Sequence, residues 1–136
     1  MAKSSQAVTI DTSALLAVLL RESNWSAMLR ATEGTSLVAA PSLPWEVGNA
    51  LVSAVRRKRL TPDQVMVAWA SYVRVPVRLA NIDVSKALDL GMSLGLYAYD
   101  AYVLETARSE RAPLLTLDHG LVRAARAASV DLVEVA

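Results

Sequence analysis

Short apolar runs, several of them rich in β-branched residues, alternate with longer runs that carry apolar side chains at helical spacing. The short runs predict strands and the longer ones helices. The predicted strands are 6–10, 35–40, 77–82, 113–117 and 130–135. The predicted helices are 11–20, 24–33, 41–59, 61–73, 83–95, 99–111 and 118–128. This alternation indicates an α/β fold, with a mostly parallel sheet covered by helices on both faces.

Helix boundary signals support these positions. Thr61 is followed by Pro62 and, three residues after the threonine, by Gln64, which is the pattern of a capping box. Asp83 is placed to cap the next helix and Gly95 to end it. The 136 residues contain no repeat or linker, so we predict a single domain over residues 1–136.

Two carboxylates follow directly after predicted strands. Asp11 comes after the first strand and Asp118 after the strand 113–117. Ligands bind beyond the carboxyl ends of the strands in open α/β sheets, so both side chains fall at the expected binding edge. Glu46, in the first turns of the helix 41–59, is a third candidate.

Asp100 is a fourth carboxylate in an unfavourable setting. Val103, Leu104 and Ala107 lie three, four and seven residues after it and share its helix face. A carboxylate at the head of such an apolar stripe loses hydration, so it must be paired, capped or bound to a metal to stay charged.

Each acid taken alone also has a structural explanation. Asp11 and Asp118 can cap helices, and Glu46 and Asp100 are favoured by the helix dipole in a first turn. The joint placement of all four at helix starts is the informative feature. Gathering them in one site would leave 14 basic against 9 acidic side chains elsewhere, a negative pocket in a mildly positive surface.

The available ligand types limit the chemistry. The chain has no cysteine and a single histidine, which excludes disulfides, thiolate metal sites and a two-histidine zinc site within one chain. A carboxylate cluster suits Mg²⁺ or Mn²⁺, since both prefer oxygen ligands. Such an ion can orient a water and stabilise a leaving oxygen at a phosphate, so the cluster suggests phosphodiester hydrolysis.

The segments VTIDTSALLAVLL, PSLPWEVGNAL, LYAYDAYVLETA and LLTLDHGLVRAA resemble the four acidic motifs of the PIN-domain family in order and approximate spacing. The compact length resembles the VapC-type toxins, ribonucleases of toxin–antitoxin pairs. The resemblance implies a three-layer α/β/α sandwich and a Mg²⁺- or Mn²⁺-dependent endoribonuclease. By position, Asp11, Glu46, Asp100 and Asp118 would form the catalytic site, with the three aspartates as metal ligands.

The same resemblance assigns supporting roles. Ser13 and Thr116 match hydroxyl residues of the motifs, and Asn49 is placed to orient Glu46. His119 departs from the lysine or other polar residue that the family often has there, so it is either an RNA contact or a solvated helix-start residue. The run Arg56, Arg57, Lys58 and Arg59 complements a helix C-terminus or contacts RNA phosphate.

Partners follow partly from pattern and partly from resemblance. The tryptophans and tyrosines are expected mainly in the core, with stacking on RNA bases or a protein interface as the alternatives. The segment VMVAWASYV is apolar nearly all round, which suggests cover by a dimer partner or an antitoxin segment. The resemblance implies a homodimer inhibited by a cognate antitoxin. The apolar stretch after Asp11 has only about ten residues, too few to span a membrane, and we expect a cytoplasmic protein with no membrane partner.

Three other functions stay open. One is a PIN nuclease of RNA maturation or decay. A receiver-like signalling domain also alternates β and α elements and holds Mg²⁺ with carboxylates, but it needs a lysine after a late strand, and no lysine follows Lys86. The third is an inactive RNA- or protein-binding module, which the presence of all four acids argues against.

Overall fold

The computed structural model describes residues 6–135, which form a parallel sheet and seven helices. The strands are β1 Ala7–Ile10, β2 Ser36–Ala39, β3 Val77–Leu79 and β4 Leu114–Leu115. The helices are α1 Thr12–Leu19, α2 Trp25–Thr32, α3 Leu43–Arg56, α4 Pro62–Arg74, α5 Val84–Leu94, α6 Ala98–Glu110 and α7 His119–Ala127. The strand order is β3-β2-β1-β4, with every neighbouring pair parallel.

Helices cover both faces of this sheet. Leu115 packs in one core with side chains of α1 to α4, such as Leu15, Met28 and Leu51. Leu114, its neighbour in β4, packs in a second core with side chains of α5, α6 and α7, including Leu104. Successive strand residues point to opposite faces, so two adjacent leucines join two cores. The predicted three-layer α/β/α architecture is confirmed.

The predicted helix boundaries agree with the structure to within a few residues. Thr61 and Gln64 form the reciprocal bonds of a capping box at the start of α4. Asp83 caps α5 through the amides of Ser85 and Lys86. Gly95 ends α5 with φ of 67°, a left-handed conformation that a residue with a Cβ adopts only with strain.

The strands near the site are shorter than predicted. The segment 113–117 pairs only at Leu114–Leu115, and the predicted strand 130–135 is reduced to one bridge between Leu114 and Leu132. The amide of Leu117 instead bonds the Ser13 hydroxyl, and the amide of Asp118 bonds the Thr116 hydroxyl. At this end of the sheet, two backbone amides thus bond side-chain hydroxyls and not the backbone carbonyls of a neighbouring strand.

The expectation that the aromatic side chains belong to the core is wrong for three of them. Trp45, Tyr97 and Tyr99 are 74%, 87% and 56% exposed. By contrast, Trp69 and Tyr72 pack against the core from α4. Other positions of α4, namely Met66, Val67 and Val73, are exposed to solvent. This helix, apolar nearly all round, is therefore covered by the rest of the chain on one side only.

Within residues 6–135, none of the helices has the length and apolarity needed to cross a membrane.

Candidate active site

The four predicted acids lie at the starts of four helices. Asp11 directly follows β1 and is the N-cap of α1, and Asp118 follows β4 and is the N-cap of α7. Glu46 and Asp100 lie in the first turns of α3 and α6. Because β1 and β4 are parallel neighbours, their carboxyl ends bring Asp11 and Asp118 to the same edge of the sheet.

Asp11 is the most constrained of the four. It is only 6% exposed, and its Oδ1 accepts the amide of Ala14 at 3.0 Å. The Ser13 hydroxyl lies 2.8 and 2.9 Å from its two oxygens, and the Thr116 hydroxyl donates to Oδ2 at 2.6 Å. The Ser13 oxygen in turn accepts the amide of Leu117 at 3.0 Å. These bonds join the ends of β1 and β4 and fix the carboxylate.

Opposing effects act on the pKa of Asp11. Burial raises this pKa most, because it removes the charged carboxylate from water. The hydrogen bonds from Thr116, Ala14 and Ser13 lower it, and the charge of Asp118 raises it further. The net result is a raised pKa, so this carboxyl holds its proton more strongly than an exposed aspartate does.

Glu46 is held by a residue that the sequence did not identify. The Ser42 hydroxyl, one turn earlier, donates to Oε2 at 2.6 Å. Asn49, which we expected to orient Glu46, is exposed, and no hydrogen bond links the two among the residues described. Burial raises the pKa of Glu46, Ser42 lowers it, and the charges of Asp11 and Asp100 raise it. The sum is again a raised pKa.

Asp100 lies above the apolar stripe that its sequence predicts. Val103, Leu104 and Ala107 are all buried, while Asp100 itself is half-buried. Burial first, and then the charge of Asp118, raise the pKa of Asp100. In the part of the chain that the structure describes, the ion pairs are Arg78–Glu110 and Arg108–Glu105, so no basic side chain pairs with any of the four acids.

Asp118 is the exposed member of the group. Its Oδ1 accepts the amide of Leu121 at 3.0 Å, which is the helix-capping role that its position predicts. His119, the next residue, is exposed at the first position of α7. It therefore adjoins Asp118 in the chain, and its role as an RNA contact stays a prediction.

Each of the four acids takes part in at least one pair in which the charge of one raises the pKa of the other. Asp118 raises the pKa of Asp11 and Asp100, and Asp11 and Asp100 raise that of Glu46. No three such side chains within residues 6–135 lie close enough to hold one ion directly in their present positions. The donors nevertheless suit Mg²⁺ or Mn²⁺: they are all oxygen, and Mg²⁺ keeps several waters and needs only one or two direct carboxylates.

The basic run lies apart from this group. Arg56 ends α3, ten residues after Glu46, and helix geometry puts roughly 15 Å between those positions along the axis. Arg57, Lys58 and Arg59 follow it and are exposed. These side chains remain predicted RNA contacts, and only a substrate several nucleotides long would reach both them and the acids.

Two aromatic residues that the sequence analysis assigned to the core instead border the site. Trp45 and Tyr99 line one cavity of about 310 Å³ together with Glu46 and Asn49. Thr12, at the first position of α1, completes its lining. Each aromatic residue directly precedes a candidate acid in the sequence, and that adjacency was the available signal.

Three solved structures share this fold. PAE2754 from Pyrobaculum aerophilum is 21% identical, with 88% of this chain and 79% of that one covered and a TM-score of 0.68. Mycobacterium tuberculosis VapC20, a sarcin-ricin loop cleaving toxin, is 15% identical, with 86% and 94% covered and a TM-score of 0.63. FitAcB from Neisseria gonorrhoeae is 14% identical, with 93% and 96% covered and a TM-score of 0.64.

The solved structures show a shared fold, and a comparison with family models identifies the family. No curated protein matches the sequence significantly. The PIN domain family, however, matches residues 8–127, a stretch that includes all four acids and both hydroxyl residues beside Asp11. This match confirms the resemblance drawn from the acidic motifs. The chain belongs to the PIN domain family.

Proposed function

We propose that this chain is a Mg²⁺- or Mn²⁺-dependent endoribonuclease that hydrolyses RNA phosphodiester bonds as the toxin of a toxin–antitoxin pair. The observation that carries the proposal is the placement of four carboxylates, each electrostatically coupled to at least one other, at four helix starts in a PIN-domain chain. The fold shared with VapC20, a toxin that cleaves the sarcin-ricin loop, supports RNA as the substrate.

The acids divide into metal ligands and a supporting carboxylate. Asp11, Asp100 and Asp118 would hold the cation, one or two of them directly and the others through water, and Glu46 would complete the negative pocket through water. A divalent cation held there supplies charge neutralisation at the phosphate and an activated water. Ser13 and Thr116 fix the position of Asp11 through their bonds to both its oxygens. Ser42 does the same for Glu46.

The raised pKa values link this site to pH. Burial keeps protons on Asp11, Glu46 and Asp100 to higher pH than in exposed carboxyls, and cation binding must displace any that remain. We therefore expect metal affinity, and with it cleavage, to rise with pH on the acidic side of neutrality.

The test needs no knowledge of the target. Purified protein is incubated with total cellular RNA in Mg²⁺, in Mn²⁺ or in chelator, and new 5′ ends are mapped by sequencing. Asp100→Asn serves as the matched control because Asp100 caps no helix, so the variant should fold like the wild type. Discrete, metal-dependent ends absent from the control support the proposal and identify the target. The same ends in the Asp100→Asn sample would refute the site assignment.

The alternatives separate on different observations. The chain belongs to the PIN family, so the hypothesis of a receiver-like signalling domain is dropped. A metal-dependent nuclease without an adjacent antitoxin gene would favour RNA maturation or decay over a toxin. An inactive RNA- or protein-binding module predicts no new ends from folded protein that carries no inhibitor.

The predicted partners are a cognate antitoxin and a second copy of the chain, with the complex in the cytoplasm. The exposed Met66, Val67 and Val73 on α4 offer apolar surface for such a contact. Sedimentation of the purified chain, alone and with the product of an adjacent small gene, tests both partners. A monomer that the co-expressed product neither binds nor inhibits would contradict them.

A further inference from the structure

Trp45 and Tyr99 separate two cavities. On one side is the cavity of about 310 Å³ that contains Glu46. On the other is an apolar cavity of about 280 Å³, whose lining includes Ile82, Val84 and Tyr102. Both aromatic residues line both cavities. The candidate active site therefore continues, past two aromatic rings, into a small apolar space.

Both rings are exposed, and Tyr99 also has an aromatic neighbour. Trp45 is 74% and Tyr99 56% exposed, although large aromatic side chains are usually well buried. Each stands in the first turn of its helix, on a backbone that also carries Glu46 or Asp100. The Tyr102 ring meets Tyr99 edge-on, with ring centroids 5.8 Å apart and planes at 90°. Tyr99 thus combines an aromatic neighbour with contact to both cavities, a setting in which a further flat ring could stack.

We infer that Trp45, Tyr99 and the apolar cavity behind them form a subsite for one unpaired nucleobase of the RNA, next to the phosphate held at the acids. This inference rests on the proposed function and adds the class of substrate. A base can stack on aromatic side chains only after it has left a helical stack, so the subsite selects single-stranded or looped RNA.

Continuity with the acids favours a nucleobase as the occupant. A phosphodiester placed at Glu46 and Asp100 carries its flanking bases within reach of the residues that precede those two acids in the sequence. The shared wall thus has a polar side suited to the backbone and an apolar side suited to a base. A second copy of the chain would have to fill the apolar cavity while leaving the acids open to RNA.

The experiment measures binding apart from cleavage. Tetraribonucleotides of A, C, G or U, and an abasic ribose-phosphate tetramer, are titrated in Mg²⁺ into protein that carries Asp100→Asn to prevent cleavage, and binding is followed by isothermal titration calorimetry. At least one base-bearing tetramer should bind more tightly than the abasic tetramer, and binding of none of them would overturn the subsite. Trp45→Leu should weaken binding of that tetramer roughly 5- to 150-fold, and Trp45→Tyr should restore most of the loss.

Matched controls separate stacking from general effects. Tyr97→Leu removes an aromatic ring that is 87% exposed near the same helix start, but Tyr97 lines neither cavity. This variant should bind like the wild type. Circular dichroism and sedimentation of the Trp45 variants check the fold and the oligomeric state.

The outcomes distinguish this inference from the function on which it depends. Base-dependent binding that Trp45→Leu weakens, even if the chain cleaves no RNA, supports the subsite and removes only the nuclease proposal. Metal-dependent cleavage with equal binding of abasic and base-bearing tetramers overturns the subsite alone. A Trp45→Leu variant that changes only the oligomeric state identifies the surface as a protein interface, which also overturns the inference.

Discussion

The Thr116 hydroxyl provides a quantitative test of how the site is built. It donates to Oδ2 of Asp11 at 2.6 Å and accepts the amide of Asp118 at 3.1 Å. Thr116→Val keeps the shape and β-branching of the side chain and removes these two bonds together with the longer contact, 3.4 Å, to the Ser13 hydroxyl. The variant therefore separates hydrogen bonding from packing at the junction of β1 and β4.

The expected loss of stability follows from the charge of the acceptor. A hydrogen bond to a charged group contributes about 1.5–3 kcal/mol, against about 1 kcal/mol for a neutral one. Asp118 is exposed, so water replaces the lost acceptor of its amide at little cost. We expect Thr116→Val to lower the free energy of unfolding by about 2 kcal/mol.

The assay is urea denaturation in chelator at pH 7, with two reference variants. Thr9→Val removes a buried hydroxyl that donates at 3.1 Å to the neutral carbonyl of Ala112, so it should lower the free energy of unfolding by about 1 kcal/mol. Thr116→Ser keeps the hydroxyl and should lie close to the wild type. Unchanged m-values would show that all the variants unfold from the same compact state.

A second measurement addresses function. The Thr116 hydrogen bond lowers the pKa of Asp11, so its removal should raise that pKa and move the acidic limb of the cleavage profile to higher pH. The reasoning is refuted if Thr116→Val is no less stable than Thr9→Val and its pH profile matches that of Thr116→Ser.

Three further outcomes are expected. Asp100→Asn should fold at least as stably as the wild type, because it removes a half-buried charge that Asp118 repels. RNA cleavage by this variant should fall about 100-fold or more. Melting curves and cleavage rates check the two effects, and cleavage at the wild-type rate would contradict the assignment. The carboxyls of Asp11 and Glu46 have folded-state pKa values above the ordinary 3.8 and 4.5. In chelator, their contribution to the free energy of unfolding should therefore fall as the pH rises from those ordinary values through the raised ones, and then level off. Urea midpoints measured across that range test the sign, and a stability that rises there would contradict it. Thr61→Ala breaks the capping box of α4 and should destabilise the chain by about 1 kcal/mol without changing the cleavage rate, as paired denaturation and activity assays would reveal.

The sequence predicts the parts of the site that depend on local signals. Asp11 and Asp118 each combine the end of a predicted strand with a helix-capping residue, and both features are readable within a few residues. The parallel sheet then brings the two together, since β1 and β4 are neighbours. Glu46 and Asp100 are visible as first-turn acids, Asp100 because of its apolar stripe, and the resemblance to the PIN family is what places them in the same site.

The features that the sequence missed depend on contacts between distant segments. At the end of the predicted strand 113–117 the amide of Leu117 bonds the Ser13 hydroxyl, and Ser13 lies 104 residues away in the chain. The exposure of Trp45 and Tyr99 depends on which side of each first helical turn meets the sheet. Periodicity identifies the apolar stripe of a helix but not the direction in which a residue at its end projects.

Two of the four acids cap helices and two do not, so the loss of each pair would affect folding differently during evolution. Asp11 and Asp118 each hold the first turn of a helix, whereas the amides at the starts of α3 and α6 do not depend on Glu46 or Asp100 for a cap. A lineage released from selection for nuclease activity, but still required to fold and bind its partners, could exchange Glu46 and Asp100 freely. It would retain Asp11 and Asp118 longer, or replace them by asparagine or serine. In descendants that have lost nuclease activity, Asp11 and Asp118 should therefore be retained more often than Glu46 and Asp100.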